Sequence, residues 1–560
     1  MTFSSWEAFE EDQECVRSKL QEGSIDFLEV VSRVVETQFF QELIGSGDLE
    51  RLASTSPSPR RTHDVPLWVY VATQLTLRLH GASGFSSLPY ILHCGGLRDA
   101  LEAGQVQRRA NSESGERYLE FKGYNRKNSY ARRTPCDHDF VRKLARSTEP
   151  QALEAWFGSD VARYLGSLGV YEQEGIFAVD GSYLFVPDNP GYEGSKRAVF
   201  DEHNHPVSKD EQAKLSLAQQ KRCAWRRYYR MASLVHTNRR QEFLLFAGAR
   251  LLRQEGHEVK ALLPLVEDFV AATSKGTMKL LLLDRGFING QAIGQIKEKH
   301  GVDVVIPLRA GMTITQEAWR LAECDGKPWD TWTPPPKPPL VHPPQRPEAI
   351  RKAEESRQRT LAEKKAQLLV APRELVGMEI KTIPRISIWD ECPVPLDVVL
   401  MRERFNDGTV SAWGLMTTRQ VENPWEIREL YHARTACEEG WRQTKCYWDL
   451  TGFRSRSMSL VTSQVIFVLL AYTLLEVFLL RSQRGDMAKQ TRARLLAQLL
   501  PAGEQVAVYW QNRVGYFGIK EYSDILLNLR EGPRRRLQGT IRRLKKVQFE
   551  APELPHRPTN

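Results

Sequence analysis

The run Met278-Lys279-Leu280-Leu281-Leu282-Leu283 constrains this 560-residue chain more than any other segment. A stretch this apolar, broken by one lysine, suits a strand buried on both faces of a sheet. Asp284-Arg285-Gly286-Phe287 follows, then a helix predicted around 288–299 and a strand over Val302–Pro307. Together these make a β-α-β unit, so the core must be α/β. The pattern also changes at Gly175, where a short strand over Ile176–Val179 is predicted to end in Asp180-Gly181-Ser182. A polar loop of roughly 186–215 comes next, then strands near Tyr229–His236 and Glu242–Gly248 and a helix over 256–275. Asp180 and Asp284 are thus each expected at the carboxyl end of an apolar strand, where α/β sheets present their ligands. Asp-Gly is also a common turn, and an Asp can simply cap the next helix, so both alternatives stay open.

A second signal lies between Tyr431 and Lys445. The spacing Tyr431-x2-Arg434-x3-Glu438-x6-Lys445 places four functional side chains within a sector of ~60° if the segment is one helix. Asn423-Pro424-Trp425-Glu426 reads as its N-cap, with Pro at the first helical position and an acidic residue at the third. Gly440 is the only turn residue inside, and Trp441-Arg442-Gln443-Thr444-Lys445 can continue the helix beyond it. A carboxylate ringed by a guanidinium, an ammonium and a phenol suits a metal ion together with a phosphate backbone. The same spacing also suits a solvated helix with an intrahelical Arg434–Glu438 ion pair.

The chain is too long for one simple core, and two to four structural units are expected. Lys and Arg outnumber Asp and Glu by 78 − 69 = 9, a basic excess that points to a polyanionic partner. Arg530, Arg534, Arg535, Arg536, Arg542, Arg543, Lys545 and Lys546 form a basic C-terminal stretch suited to phosphates or to plain solvation. A further basic connector spans Arg108 to Arg133. The eight cysteines form no CxxC and no zinc-type pairing, and no signal peptide is evident, so a reduced, cytoplasmic protein is expected. The hydrophobic run Val465–Leu480 is short for a bilayer span and interrupted by Glu476, which predicts a buried core helix rather than a membrane segment. Residues 1–60 read as amphipathic helices and residues 65–105 keep helical periodicity.

Residues 308–420 break the α/β rhythm. They hold the Pro-rich segment Pro334–Pro347, a charged helical stretch from Ala349 to about Leu369, and strand-like pieces near 377–389, 395–404 and 410–417. Asn406-Asp407-Gly408 is a hairpin signal between the last two.

Strand-Asp, strand-Asp, a β-rich insertion and then a helix with Tyr-x2-Arg-x3-Glu-x6-Lys: this order resembles the DDE transposases of bacterial insertion sequences. The specific resemblance is to the YREK-signature, insertion-sequence-4-like group of hairpin-forming, cut-and-paste enzymes. It covers about 175–480. The resemblance implies a ribonuclease H-like α/β catalytic core with a β-rich insertion, preceded by a helical N-terminal domain and followed by a helical C-terminal region. The implied boundaries are 1–165 for the N-terminal DNA-binding domain, 166–307 and 421–485 for the two parts of the core, 308–420 for the insertion and 486–560 for the basic C-terminal region.

It further implies Asp180, Asp284 and Glu438 as catalytic carboxylates holding two Mg²⁺ ions, with Mn²⁺ as a substitute. Tyr431, Arg434 and Lys445 would contact DNA phosphates. Trp413, in Trp413-Gly414-Leu415-Met416-Thr417-Thr418, would stack on a flipped base, since an indole face offsets lost base stacking by ~1–3 kcal/mol. A core Trp on a strand is the competing assignment; Trp329, Trp332 and Trp389 are further candidates for the stacking role. Arg230, with Arg226 and Arg227 among Trp225, Tyr228 and Tyr229, suits a DNA groove or an ordinary edge strand, and Arg442 completes the expected DNA contacts. The implied partners are double-stranded DNA, as terminal inverted repeats and as target, and a second copy of the chain in the DNA complex. A bacterial, nucleoid-associated location follows. Two alternatives differ in what they predict: a metal-dependent nuclease of the same fold would cut without joining, and a catalytically silent DNA-binding regulator would bind without cutting.

Overall fold

A computed structural model describes residues 10–31, 34–60, 65–79, 138–253, 257–333, 373–482, 505–511 and 513–549, with a few positions between 84 and 119. The chain divides into two compact units, residues 1–281 with 433–560, and residues 282–432.

In the first unit the two termini share a small sheet. Strands β1 (Glu10–Glu11) and β2 (Phe27–Val31) flank a hairpin of β15 (Gln505–Trp510) and β16 (Arg513–Gly518), in the order β1-β16-β15-β2. Val16, Leu20, Val506, Val508, Phe517, Ile525 and Leu537 fill the core beneath it. The helical expectation for residues 1–60 therefore needs correction at Phe27–Val31, and strands also interrupt the C-terminal region, whose basic stretch forms the helix Glu531–Phe549. A short pair, β3 (Arg108–Ala110) and β4 (Arg117–Leu119), lies in the basic connector, whose remaining residues fall outside the described ones, as do the Pro-rich and charged stretches of 334–372.

The larger sheet of this unit is built on β5 (Gly175–Val186), which pairs antiparallel with β7 (Ala224–Thr237); β7 in turn pairs with β6 (Lys196–Phe200) and β8 (Leu244–Leu252). Strand β9 (Met278–Leu283) lies beside β5 and has the bounds expected from its apolar run. Two expectations fail here. Strand β5 does not stop at Asp180, because the ladder continues from Ile176↔Thr237 to Val186↔Arg227 and carries Asp180 mid-strand, opposite Ser233. The polar 186–215 segment is not a plain loop: it holds β6 and short helices at Lys209–Lys214 and Leu217–Gln220. Each helix is opened by a capping box, Ser208 with Glu211 and Ser216 with Gln219. The helix Met458–Arg481 packs against β8 and neighbouring helices and is buried along nearly its whole length, so its apolar character serves the core.

The second unit contains the helix Gly290–His300, β10 (Asp303–Pro307), the helix Thr313–Cys324, β11 (Asp330–Trp332) and three long strands, β12 (Leu375–Ile386), β13 (Leu396–Phe405) and β14 (Val410–Thr417). The order is β11-β12-β13-β14-β10, and the insertion is thus a sheet, as expected. Asn406-Asp407-Gly408 makes the β13–β14 turn, with Gly408 at a φ of 80° that favours glycine. The helix Thr313–Cys324 covers one face, where Arg402 sits 4.2 Å from the Trp329 ring and Trp329 stacks on Trp319. The helix Pro424–His432 covers the other, with Trp425 beside Trp332 and Arg428 near Glu403.

Candidate active site

The expected single helix over Tyr431–Lys445 is two. One runs Pro424–His432 and the next Thr435–Tyr447. Between them the amides of Ala436 and Cys437 bond to the carbonyls of Ala433 and Arg434, an i→i+3 pattern that replaces the i→i+4 ladder. The common stripe is therefore not a property of one helix. Tyr431 closes the first segment, in the second unit; Arg434, Glu438 and Lys445 belong with the second segment, in the first unit. The expected start holds: the Asn423 side chain accepts from the Trp425 amide at 3.0 Å ahead of Pro424. The helix also runs through Gly440, as expected. A Cβ there would come within 2.9 Å of the Leu244 methyls, so glycine lets the helix lie close on β8.

The Thr435–Tyr447 helix lies against β5. The Asp180 side chain is only 10% exposed. Trp441, on the buried side of the helix, donates its indole N–H to Asp180 Oδ2 at 3.2 Å. Arg434 places Nη1 3.6 Å from Asp180 Oδ1 and donates from Nη2 to Glu438 Oε1 at 2.9 Å. Its own side chain is 15% exposed, whereas that of Glu438 is 61% exposed. Lys445 donates to Ser182 Oγ at 2.6 Å, two residues along β5 and on the same face as Asp180. Burial pushes the Lys445 pKa down and the Asp180 carboxylate opposes that shift. Burial, reinforced by Asp180, also pushes the Cys437 thiol well up, so it stays protonated.

On the opposite face of β5, Glu258 approaches the backbone so closely that a Cβ at Gly181 would strike its carboxylate. Glu258 is paired with Arg230, whose Nε donates to it at 2.8 Å, and Arg230 also lies over the Tyr183 ring. Arg442 is held by Glu439 through two hydrogen bonds of 2.6 and 2.7 Å, which raises its pKa. The expected DNA contacts Arg230 and Arg442 thus have acidic partners within the protein. Neither Trp441 nor Glu258 was singled out by the spacing pattern, because each acts across elements far apart in sequence. The burial of Trp441 one turn from Glu438, on the face toward β5, is the only local signal for its role.

In the second unit, Asp284 directly follows β9 and is half-buried; the Phe287 amide bonds to its carbonyl at 2.9 Å. Its carboxylate caps no helix. Asn289 does that work for Gly290–His300, accepting from the Ala292 amide at 2.9 Å, which removes the bland alternative for Asp284. Trp413 is half-buried on β14 opposite Met401, on the sheet face that also carries Trp332. Trp329 is committed to the other face, and Trp389 lies in the β12–β13 connection.

Among the described residues, no group of three or more His, Cys, Asp and Glu side chains is arranged to hold a metal ion. The donors near Asp180 are nonetheless of the right kind. Asp180 and Glu438 offer hard carboxylate oxygens, and the Trp441 N–H fixes the Asp180 rotamer while occupying one lone pair. Hard oxygen donors with room for water suit Mg²⁺ rather than a soft metal.

Among curated proteins, none matches the chain. The model of the Transposase DDE domain family matches residues 172–474, from just ahead of β5 into the Met458–Arg481 helix and over more than half of the chain. That span takes in the mixed α/β sheet, Asp180, Asp284, the insertion and Glu438. The chain belongs to the DDE transposase family, enzymes of DNA cleavage and strand transfer.

Proposed function

We propose that this transposase moves an insertion sequence by cut-and-paste. It would bind terminal inverted repeats, nick each end, pass through a DNA hairpin and join the 3′ ends to target DNA. Asp180, Asp284 and Glu438 are the catalytic carboxylates in this reading. The observation that carries it is that Arg434 reaches both the buried Asp180 and Glu438 while Lys445 bonds to Ser182 beside Asp180, so that two of the spaced cations of the YREK pattern turn inward where a solvated helix would leave them facing water.

Two divalent cations, when bound, supply the Lewis acidity that activates the attacking oxygen and stabilises the leaving one. The chain's own groups do the rest. Asp180 is held in one rotamer by Trp441. Lys445, kept near Asp180 through Ser182, and Arg434 offer charge-assisted hydrogen bonds to the phosphates flanking the cut. Tyr431 adds a phenol donor, and Arg442 and Arg230 contact more distant phosphates once released from Glu439 and Glu258. Trp413 stacks on the base displaced as the hairpin forms. The N-terminal DNA-binding domain, 1–165, and the basic C-terminal region, 486–560, flank the core and insertion in this reading. The enzyme acts as a homodimer on paired ends, in the bacterial cytoplasm at the nucleoid.

The test uses DNA bearing the ends of the source element, with Mg²⁺ or EDTA, resolved on denaturing gels. Metal-dependent nicks at the element boundary, then hairpin-sized and joined products, are expected. Cutting without hairpins or joining would leave a nuclease of the same fold. Binding without cutting would leave a silent regulator.

A further inference from the structure

We propose that Arg434 is a built-in counter-ion that holds Asp180 and Glu438 until a DNA phosphate draws it away, so that cation loading and DNA-end binding reinforce one another. This rests on the transposase reading of the same site. Three observations support it.

Arg434 contacts both carboxylates. Its two terminal nitrogens divide between them, 3.6 Å to Asp180 and 2.9 Å to Glu438. The fork geometry of a guanidinium permits that bridge; an ammonium on a flexible stem does not reproduce it. Second, the arginine is the more buried partner. At 15% exposed it has been drawn in beside the strand, while Glu438 at 61% remains largely in water, the reverse of an ordinary surface ion pair that would leave both ends solvated. Third, the charges around Asp180 are already matched. Glu438 has Arg434, Glu439 has Arg442, Glu258 has Arg230, and Lys445 lies close enough to feel Asp180. A divalent cation brought to Asp180 and Glu438 would meet the guanidinium as a like charge in a poorly solvated place, where such repulsion is weakly screened.

Arg434 must therefore leave for the carboxylates to bind a cation well. It needs another anion when it does, because a guanidinium left buried and unmatched is costly. The chain turn at Ala433–Arg434, where the regular helix ladder is interrupted, gives the side chain's backbone a place to adjust. A phosphate accepts the same forked pair of hydrogen bonds as a carboxylate. By linkage, any phosphate that binds Arg434 better in its released position raises cation affinity, and bound cation raises DNA affinity by the same factor.

The test measures Mn²⁺ binding by electron paramagnetic resonance on the full chain, with and without an element-end duplex. The wild type should bind Mn²⁺ weakly alone and at least ~10-fold more tightly with the duplex, a coupling in the ordinary range for linked sites. Arg434→Ala should bind Mn²⁺ at least ~10-fold more tightly than wild type without DNA, and the duplex should add little. Arg434→Lys, which keeps the charge but loses the fork, should fall between. Equal Mn²⁺ affinity of wild type, Arg434→Lys and Arg434→Ala without DNA would overturn the proposal, as would weaker binding by both variants. Asp180→Asn separates the two levels: if it leaves Mn²⁺ binding unchanged, the reading of the site itself fails. If it abolishes binding while Arg434 variants change nothing, only the counter-ion role fails.

Discussion

The two units of the chain use their sheets differently. In the first, β5 is a support for charge: Asp180 and Ser182 on one face meet Trp441, Arg434 and Lys445, and the other face closes on Glu258. In the second, the β11–β14 sheet is a support for indoles. Trp319 and Trp329 lie under Arg402 on one side, and Trp332, Trp425 and Trp413 lie on the other. Charge at a buried strand suits metal and phosphate chemistry, whereas half-buried rings on a sheet face suit stacking on bases. The proposed function turns this contrast into a division of labour, with cutting assigned to the carboxylates and base handling to the insertion.

The strongest way to break this comparison is to remove the carboxylates. Asp180→Ala, Asp284→Ala and Glu438→Ala are each expected to lower cleavage by about 10³-fold or more, a scale typical of lost electrostatic stabilisation, while gel-shift binding to DNA survives. Cleavage surviving in any one of them means that carboxylate is misassigned. Trp413→Ala should act on the other side of the division: nicking of the first strand persists and the hairpin band disappears. Equal loss of both steps would mean that Trp413 only supports the fold of β14.

Smaller effects sharpen the packing side of the account. Gly440→Ala drives a methyl into Leu244 where the helix lies on β8, and overpacking of this kind costs about 1–3 kcal/mol, measurable by denaturant melting. Lys445→Ala should reduce end binding and lower the slope of log affinity against log salt by about one. A pH effect comes from His236, buried on β7 beside Phe177 between the Ile176 carbonyl and the Glu172 amide. Burial holds its pKa down at about 4. The unfolded chain takes up that proton near the ordinary value of about 6.5 and the folded chain does not. This contribution is therefore absent above that pH, destabilises progressively as pH falls from about 6.5 to 4, and levels off below. His236→Asn should flatten that part of the stability profile; an unchanged slope would mean another group sets it.

How much of this was legible in the sequence depended on range. Strand β9 is legible because Met278–Leu283 is apolar but for Lys279, and the 406–408 turn because Asn-Asp-Gly leaves few conformations. The end of β5 is not legible locally, because Asp180-Gly181-Ser182 reads as a turn and the ladder to β7 keeps it extended. Phe27–Val31 reads as helix because four apolar residues around Glu29 have no decisive period; its strand partner β15 lies almost the whole chain away. At the site, spacing alone groups Arg434, Glu438 and Lys445, whereas the helix break that separates them from Tyr431 carries no Pro or Gly to mark it. Trp441 was missed because its value lies in a bond to a residue 261 positions earlier.

The central claim is that Asp180, Asp284 and Glu438 together hold the catalytic cations. Fe²⁺ in place of Mg²⁺, with ascorbate and an element-end duplex, generates radicals that cut the protein backbone beside the bound metal. The account predicts three cleavage sites, close to residues 180, 284 and 438, all suppressed by excess Mg²⁺. Cuts near 180 and 438 without one near 284, or cuts elsewhere that Mg²⁺ does not suppress, would contradict it.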